Sequence, residues 1–359
     1  MTEEKKREYS LDVLKIIGTL IIVVYHFQGN FDVHYGPVDF AGGKFYFGYI
    51  VELFFMLSGY FAESYKSRIE NGMTFDEYFS ARFLRLIPVI FVCTVLYTGL
   101  FTYLWRGNNI KLWSALVTAL GIQTGGAFNE IYVNSQLWYV SVLLICYAVF
   151  FLVTRIGTSR NIDRRYLYVL VILAGVSCAT YGINLPFLNP NVGRGYIAFF
   201  IGVLLAGALR NRTVTGKLAI PCAGLSVIML FLILFAYKTV EYDIVYFLDF
   251  VLYPAIIIVF RSEFCRRIFN WKFLGTLAGI SFNTYVWHLD FNTLSSEFLH
   301  LMNITVDYSK FTTEIIYVLL EFGIGALSYF YLEKPLSKLT KKWVAVLHEK
   351  CQAEKEAQL

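Results

Sequence analysis

Long apolar runs alternate with short polar segments along the whole chain, and the segments richest in Lys and Arg recur at every second interval. A membrane-spanning helix needs about 20 apolar residues, somewhat fewer where its ends snorkel. Ten runs fit, near 11–29, 45–64, 82–104, 136–154, 166–182, 195–210, 217–237, 245–260, 273–290 and 313–332. The fifth to eighth are short neighbours that allow other divisions. Pro88, Pro254 and Gly323 fall inside runs, which spanning helices tolerate. The pattern predicts an all-α polytopic membrane protein of about ten transmembrane helices.

The loops test that count. With the N-terminus inside, 24 of the 31 Lys and Arg fall on the inner side, six fall outside, and Lys15 lies within the first run. The six are Lys44, Arg106, Lys111, Arg194, Lys238 and Lys310. Such a bias matches the positive-inside rule for ten spans with both termini cytoplasmic. Residues 1–335 then form one transmembrane domain, and 336–359 a charged, amphipathic tail along the inner surface. In the longest outer loop, IKLWSALVTALGI has helical spacing and is suited to lie on the membrane or re-enter it.

Composition agrees. Hydrophobic residues make up 57% of the 359, charged residues 16%, and mean hydropathy is +0.56. Soluble chains carry about 45–50% apolar residues. The net charge of +5 reflects the inner loops, and no basic patch interleaved with aromatics suggests nucleic acid. None of the six cysteines pairs as CxxC, so neither a disulfide framework nor a zinc site is expected. The first run follows TEEKKRE without a small-residue cleavage site and reads as a retained span.

Polar residues inside the runs carry the chemistry. Lys15 and His26 lie eleven residues apart. In a helix they share one face, roughly 16 Å apart along the axis. Ionisable groups within a membrane helix are costly and usually face a site or path. An imidazole acts as a base near neutral pH, although a satisfied interfacial histidine explains the position equally well. Glu52 lies at a similar depth on the next run, placed to orient that imidazole as Asp does in a triad or simply to pair another polar group. Ser58–Gly59 reads as a small-residue helix contact and not as a nucleophile.

Arg82 and Arg85 are three residues apart at the inner edge of the third run and share a face. Ordinary anchoring explains such arginines; the functional alternative is a phosphate clamp, joined by Lys15 at the same level. His288 closes SFNTYVWH near an outer end, and Glu333 stands at the inner end of the last run. An aromatic-belt histidine and a carboxylate paired with arginine are their plain readings. There is no Walker A loop, no HExxH and no GxSxG.

Together these pieces resemble the acyltransferase-3 family of integral membrane O-acyltransferases. The matching residues are Leu11–Asp12, Lys15 with His26, Glu52 to Phe55 with Ser58–Gly59, Arg82 and Arg85, Leu137 to Tyr139, Ser281 through Tyr285 to His288, and Glu333 to Pro335. Lys15 stands where many members have Arg. The resemblance implies transfer of an acyl group, usually acetyl from acetyl-CoA, to a hydroxyl of a cell-surface carbohydrate or related acceptor. Acyl-CoA would be a substrate, with no bound cofactor. The resemblance implies catalytic roles for His26 and Glu52, and acyl-CoA binding by Lys15, Arg82 and Arg85. Trp138, Tyr139 and His288 fall to acceptor-side or structural roles, and Ser58 and Glu333 to structural ones. His26 as general base and His26 as acyl carrier both stay open. Expected partners are the lipid bilayer, acyl-CoA and the acceptor, with a homo-oligomer open, in a bacterial plasma membrane. The alternative from another class is a proton-coupled transporter or exporter, which intramembrane Lys15, Glu52 and His26 would suit. No inverted repeat supports it.

Overall fold

The computed structural model describes residues 7–36, 39–41, 47–104, 112–124, 133–236 and 244–340. Among these are fourteen α-helices and no strand. They are α1 (Tyr9–Phe31), α2 (Val51–Ala62), α3 (Lys66–Glu70), α4 (Phe75–Leu104), α5 (Leu112–Ala119), α6 (Trp138–Ser159) and α7 (Arg164–Tyr181). The second half has α8 (Pro190–Leu209), α9 (Gly216–Ala236), α10 (Ile244–Phe247), α11 (Tyr253–Phe260), α12 (Glu263–Ile268), α13 (Lys272–Leu301) and α14 (Phe311–Ser328). A π-helical turn, Leu248–Leu252, joins α10 to α11, and another, Tyr329–Glu333, extends α14.

Each of the ten apolar runs lies on one of these helices, the eighth on α10 and α11 together. Among the described residues, six helices are long and apolar enough to cross a membrane: α1, α4, α6, α8, α9 and α14. The chain is therefore a multi-pass membrane protein. Other runs fall short for different reasons. α2 has only 12 residues. α13 has 30 but buries Ser281, Asn283, Thr284, His288, Asp290 and Asn292, so its polarity serves the interior. α5 sits on the stretch expected to be helical in the loop before α6. The tail from residue 341 onward lies outside the described residues.

Packing follows residue size. α8 runs between α2 and α7. A Cβ on Gly59 would fall 1.9 Å from the Phe199 carbonyl oxygen, and one on Gly202 would fall 2.0 Å from that of Met56. Only glycine permits such backbone approach, as small residues do between membrane helices generally. Gly175 and Gly193 play the same part between α7 and α8. The contact foreseen at Ser58–Gly59 thus belongs to Gly59, which leaves Ser58 to face elsewhere. α1 packs on α13, and α13 on α14. α9 presents Ile220, Val227 and Phe231 outward, as a lipid-facing helix does.

Candidate active site

At the end of the bundle that bears Arg7 and Glu8 a cavity of about 1920 Å³ opens. Eight of its lining residues are Lys or Arg and four are Glu. The carboxylates are partly spoken for: Glu63 lies 3.4 Å from Arg210, Glu8 3.2 Å from Arg261, and Glu333 4.0 Å from Arg85. A net positive, open basin of this size suits a large anion.

Arg82 and Arg85 both line it, as their spacing on α4 predicts. The Arg82 guanidinium donates to the Tyr78 carbonyl at 2.5 Å and is flanked by the rings of Tyr78, Tyr65 and Tyr147, at 3.6, 4.2 and 5.0 Å. Those rings fix its plane without neutralising it. Arg85 is exposed, with Glu333 at 4.0 Å. Lys15 does not share the basin wall: its ammonium is 2.8 Å from Asp12 and 4.4 Å from the Phe61 ring, and Phe61 does line the cavity. Asp12 also takes Arg7 at 2.6 Å, so it divides itself between two cations.

Ser58 and Tyr147 line the basin as well. From there aromatic side chains lead into the bundle. Tyr139 and Phe55 are 4.6 Å apart, Tyr139 and Tyr285 5.5 Å, Tyr285 and His288 5.7 Å, and His288 and His26 5.0 Å, all between ring centroids. Phe54 touches both tyrosines of this series and presses on Gly18 of α1. The Tyr285 hydroxyl donates to the Gln136 carbonyl, which ties α13 to the start of α6. His26 is half-buried beside Tyr25 and His288. His288 is fully buried, its Nδ1 2.7 Å from the Tyr285 carbonyl.

Glu52 pairs with another polar group, the second of the two readings its depth allowed. Its carboxylate, fully buried, accepts from Arg194 Nε at 2.5 Å, and the Arg194 guanidinium lies 4.9 Å from the Trp138 ring and 5.4 Å from that of Tyr49. The expected orientation of His26 by Glu52 is therefore replaced by an ion pair across α2 and α8. A buried carboxylate seeks a cation first, and Arg194 supplies one. Asp249, also fully buried, completes this cluster from the π-helical turn.

Sequence reasoning placed Arg194 one residue outside its span and so missed it. It also missed Asp290, buried two residues past His288, which accepts from Asn134 at 2.8 Å and lies 2.9 Å from the Cys93 sulfur. Both are ionisable groups at run edges, a signal that was available. Glu333 accepts from Asn283 Nδ2 at 2.5 Å beside Arg85, a helix-end carboxylate near an arginine as its position suggested.

A family model described as an acyltransferase domain, acyltransferase-3, matches residues 8–328. The chain belongs to the acyltransferase-3 family. The match runs from the residue before α1 to the end of α14 and takes in most of the basin lining, the aromatic series and both imidazoles. Comparison with curated proteins and with solved structures gave no match. As a family member the chain is an acyltransferase of the membrane.

Proposed function

We propose that this acyltransferase takes its acyl group from cytoplasmic acyl-CoA, acetyl-CoA above all, and delivers it to a hydroxyl of a cell-surface carbohydrate or related acceptor. The observation that carries this reading is the basic basin continued inward by aromatic side chains to His26. CoA is a polyanion on a long, slender thioester arm. Its phosphates would meet Arg82, Arg85 and the neighbouring cations, and the arm would follow Ser58 and Tyr139 into the bundle. His26 would take the proton of the acceptor hydroxyl. The topology that fits is ten spans with both termini cytoplasmic, which puts the basin inside and the acceptor outside, in a bacterial plasma membrane.

The test is transfer of label from acetyl-CoA by purified protein returned to membranes that carry the native acceptor, alongside CoA binding by the same protein. His26→Gln is expected to bind CoA as the parent does and to lose about 10²–10⁴-fold in transfer. Arg82→Ala is expected to weaken CoA binding. Folded His26→Gln with parental turnover removes the base from this reading. A parent protein that moves solute across the bilayer but transfers no label leaves the transporter in its place.

A further inference from the structure

The Nδ1 of His288 faces a main-chain carbonyl at 2.7 Å. A carbonyl only accepts, so this nitrogen carries the hydrogen, and in the neutral ring the lone pair is left on Nε2. The backbone of α13 thus fixes the tautomer, whatever else occupies the site. That Nε2 is shielded from solvent and has no hydrogen-bond partner among the described residues. Leaving such an atom unsatisfied costs about 1–3 kcal/mol. Buried polar atoms in folded proteins nearly always have a partner, so an orphan needs a reason.

The ring next to that of His288 is that of His26. The two rings stand 5.0 Å apart between centroids and 46° from parallel. His26 lacks the carboxylate that would orient it, because Glu52 is engaged by Arg194. We propose that His288 is the positioning residue for His26: its Nε2 lone pair receives an N–H of His26, and the opposite nitrogen of His26 keeps its lone pair for the acceptor hydroxyl. This rests on the acyl-transfer reading above. Hydrogen bonds of catalytic groups are often loose before substrate binds and tighten with it, and adjacent rings can turn to make this one.

The chemistry then balances with one base. The hydroxyl proton passes to the free nitrogen of His26 as the acceptor oxygen bonds to the acyl carbon. The carbon–sulfur bond breaks, its electron pair stays on sulfur, and the proton from His26 converts that thiolate to the CoA thiol. His288 holds the imidazolium by accepting its other hydrogen and ends the cycle unchanged. A neutral acceptor does this without placing a second charge in the bundle, where a carboxylate would need its own cation.

His288→Asn separates the roles, since its side-chain amide keeps a donor toward the Tyr285 carbonyl but has nothing at the Nε2 position. The experiment is nitrogen NMR of the full chain labelled at its five histidines, with acetyl-CoA present, and the two signals assigned through His26→Gln and His288→Asn. In the parent, His288 is expected as the Nδ1–H tautomer and His26 as a single tautomer. In His288→Asn, His26 becomes a mixture of tautomers, and kcat for acetyl transfer falls about 10–100-fold with KM for acetyl-CoA unchanged, as when other imidazole-orienting partners are lost. A parent His288 protonated on Nε2, or folded His288→Asn with unchanged His26 signals and parental kcat, overturns the proposal. If His288→Asn fails to fold, the parent spectrum alone decides. A parent that transfers nothing from acetyl-CoA defeats the acyl-CoA reading instead, while the spectra still report on the two rings.

Discussion

At the scale of single residues, two of the polar assemblies inside the bundle are separate from each other. One is the imidazole pair. The other is Glu52, Arg194 and Asp249, with Trp138 and Tyr49 against the guanidinium. In the second, Arg194 is the cation paired with the buried Glu52, so its loss is the costly change. Removing one partner of a buried pair typically destabilises by about 3–5 kcal/mol, because the other charge stays behind. Arg194→Met is therefore expected to lower thermal stability in detergent far more than Glu52→Gln. A double-mutant cycle on stability should find Glu52 coupled to Arg194 and uncoupled from His26. Equal melting of Arg194→Met and the parent would contradict this assignment. The sequence made Glu52 and His26 legible as residues that matter, since ionisable groups in apolar runs stand out. Their partners were not legible, because depth along two helices says nothing of rotation about each axis. Arg194 needed only a one-residue shift of a span boundary to join them.

Among elements, the helices that carry the runs and the short α5 were readable in order, while α3 and α12 fall in segments read as loops. What periodicity could not convey is how closely α2, α7 and α8 approach. Gly59 and Gly202 let two backbones meet where any side chain would strike a carbonyl. Overpacking usually costs about 1–3 kcal/mol, and contact with backbone, which cannot turn aside, belongs at or above the top of that range. Gly59→Ala is expected to reduce the yield of folded protein sharply. Gly207→Ala, on α8, has open space around its Cβ and should be neutral or slightly stabilising, since alanine is the better helix former. Comparable yields of folded Gly59→Ala and parent would show that α8 can shift away. The two π-helical turns were equally invisible in the sequence, yet one carries Asp249 and the other ends on Glu333. A π turn adds a residue to the helical repeat and so turns a side chain toward a neighbour it would otherwise miss.

For the whole molecule, the charge bias carries the orientation. The basin draws its cations from the N-terminus, the α2–α4 region, the end of α8, the end of α11 and the chain after α14, all segments assigned to the inner side. In a background without the native cysteines, His34→Cys and Lys310→Cys are expected to react with an impermeant thiol reagent on intact cells, and Ser337→Cys at the basin to be protected. Labelling of Ser337→Cys, or protection of the other two, would reverse or break the ten-span topology. The basin itself has a consequence for regulation. If it holds acyl-CoA, its arginines grip the phosphates and adenosine end, the part of the donor that is identical in spent CoA. Such uniform binding cannot favour one over the other. Free CoA then competes with the donor on nearly equal terms, and the ratio of acylated to free CoA in the cell, more than the amount of donor, becomes the throttle on acyl transfer.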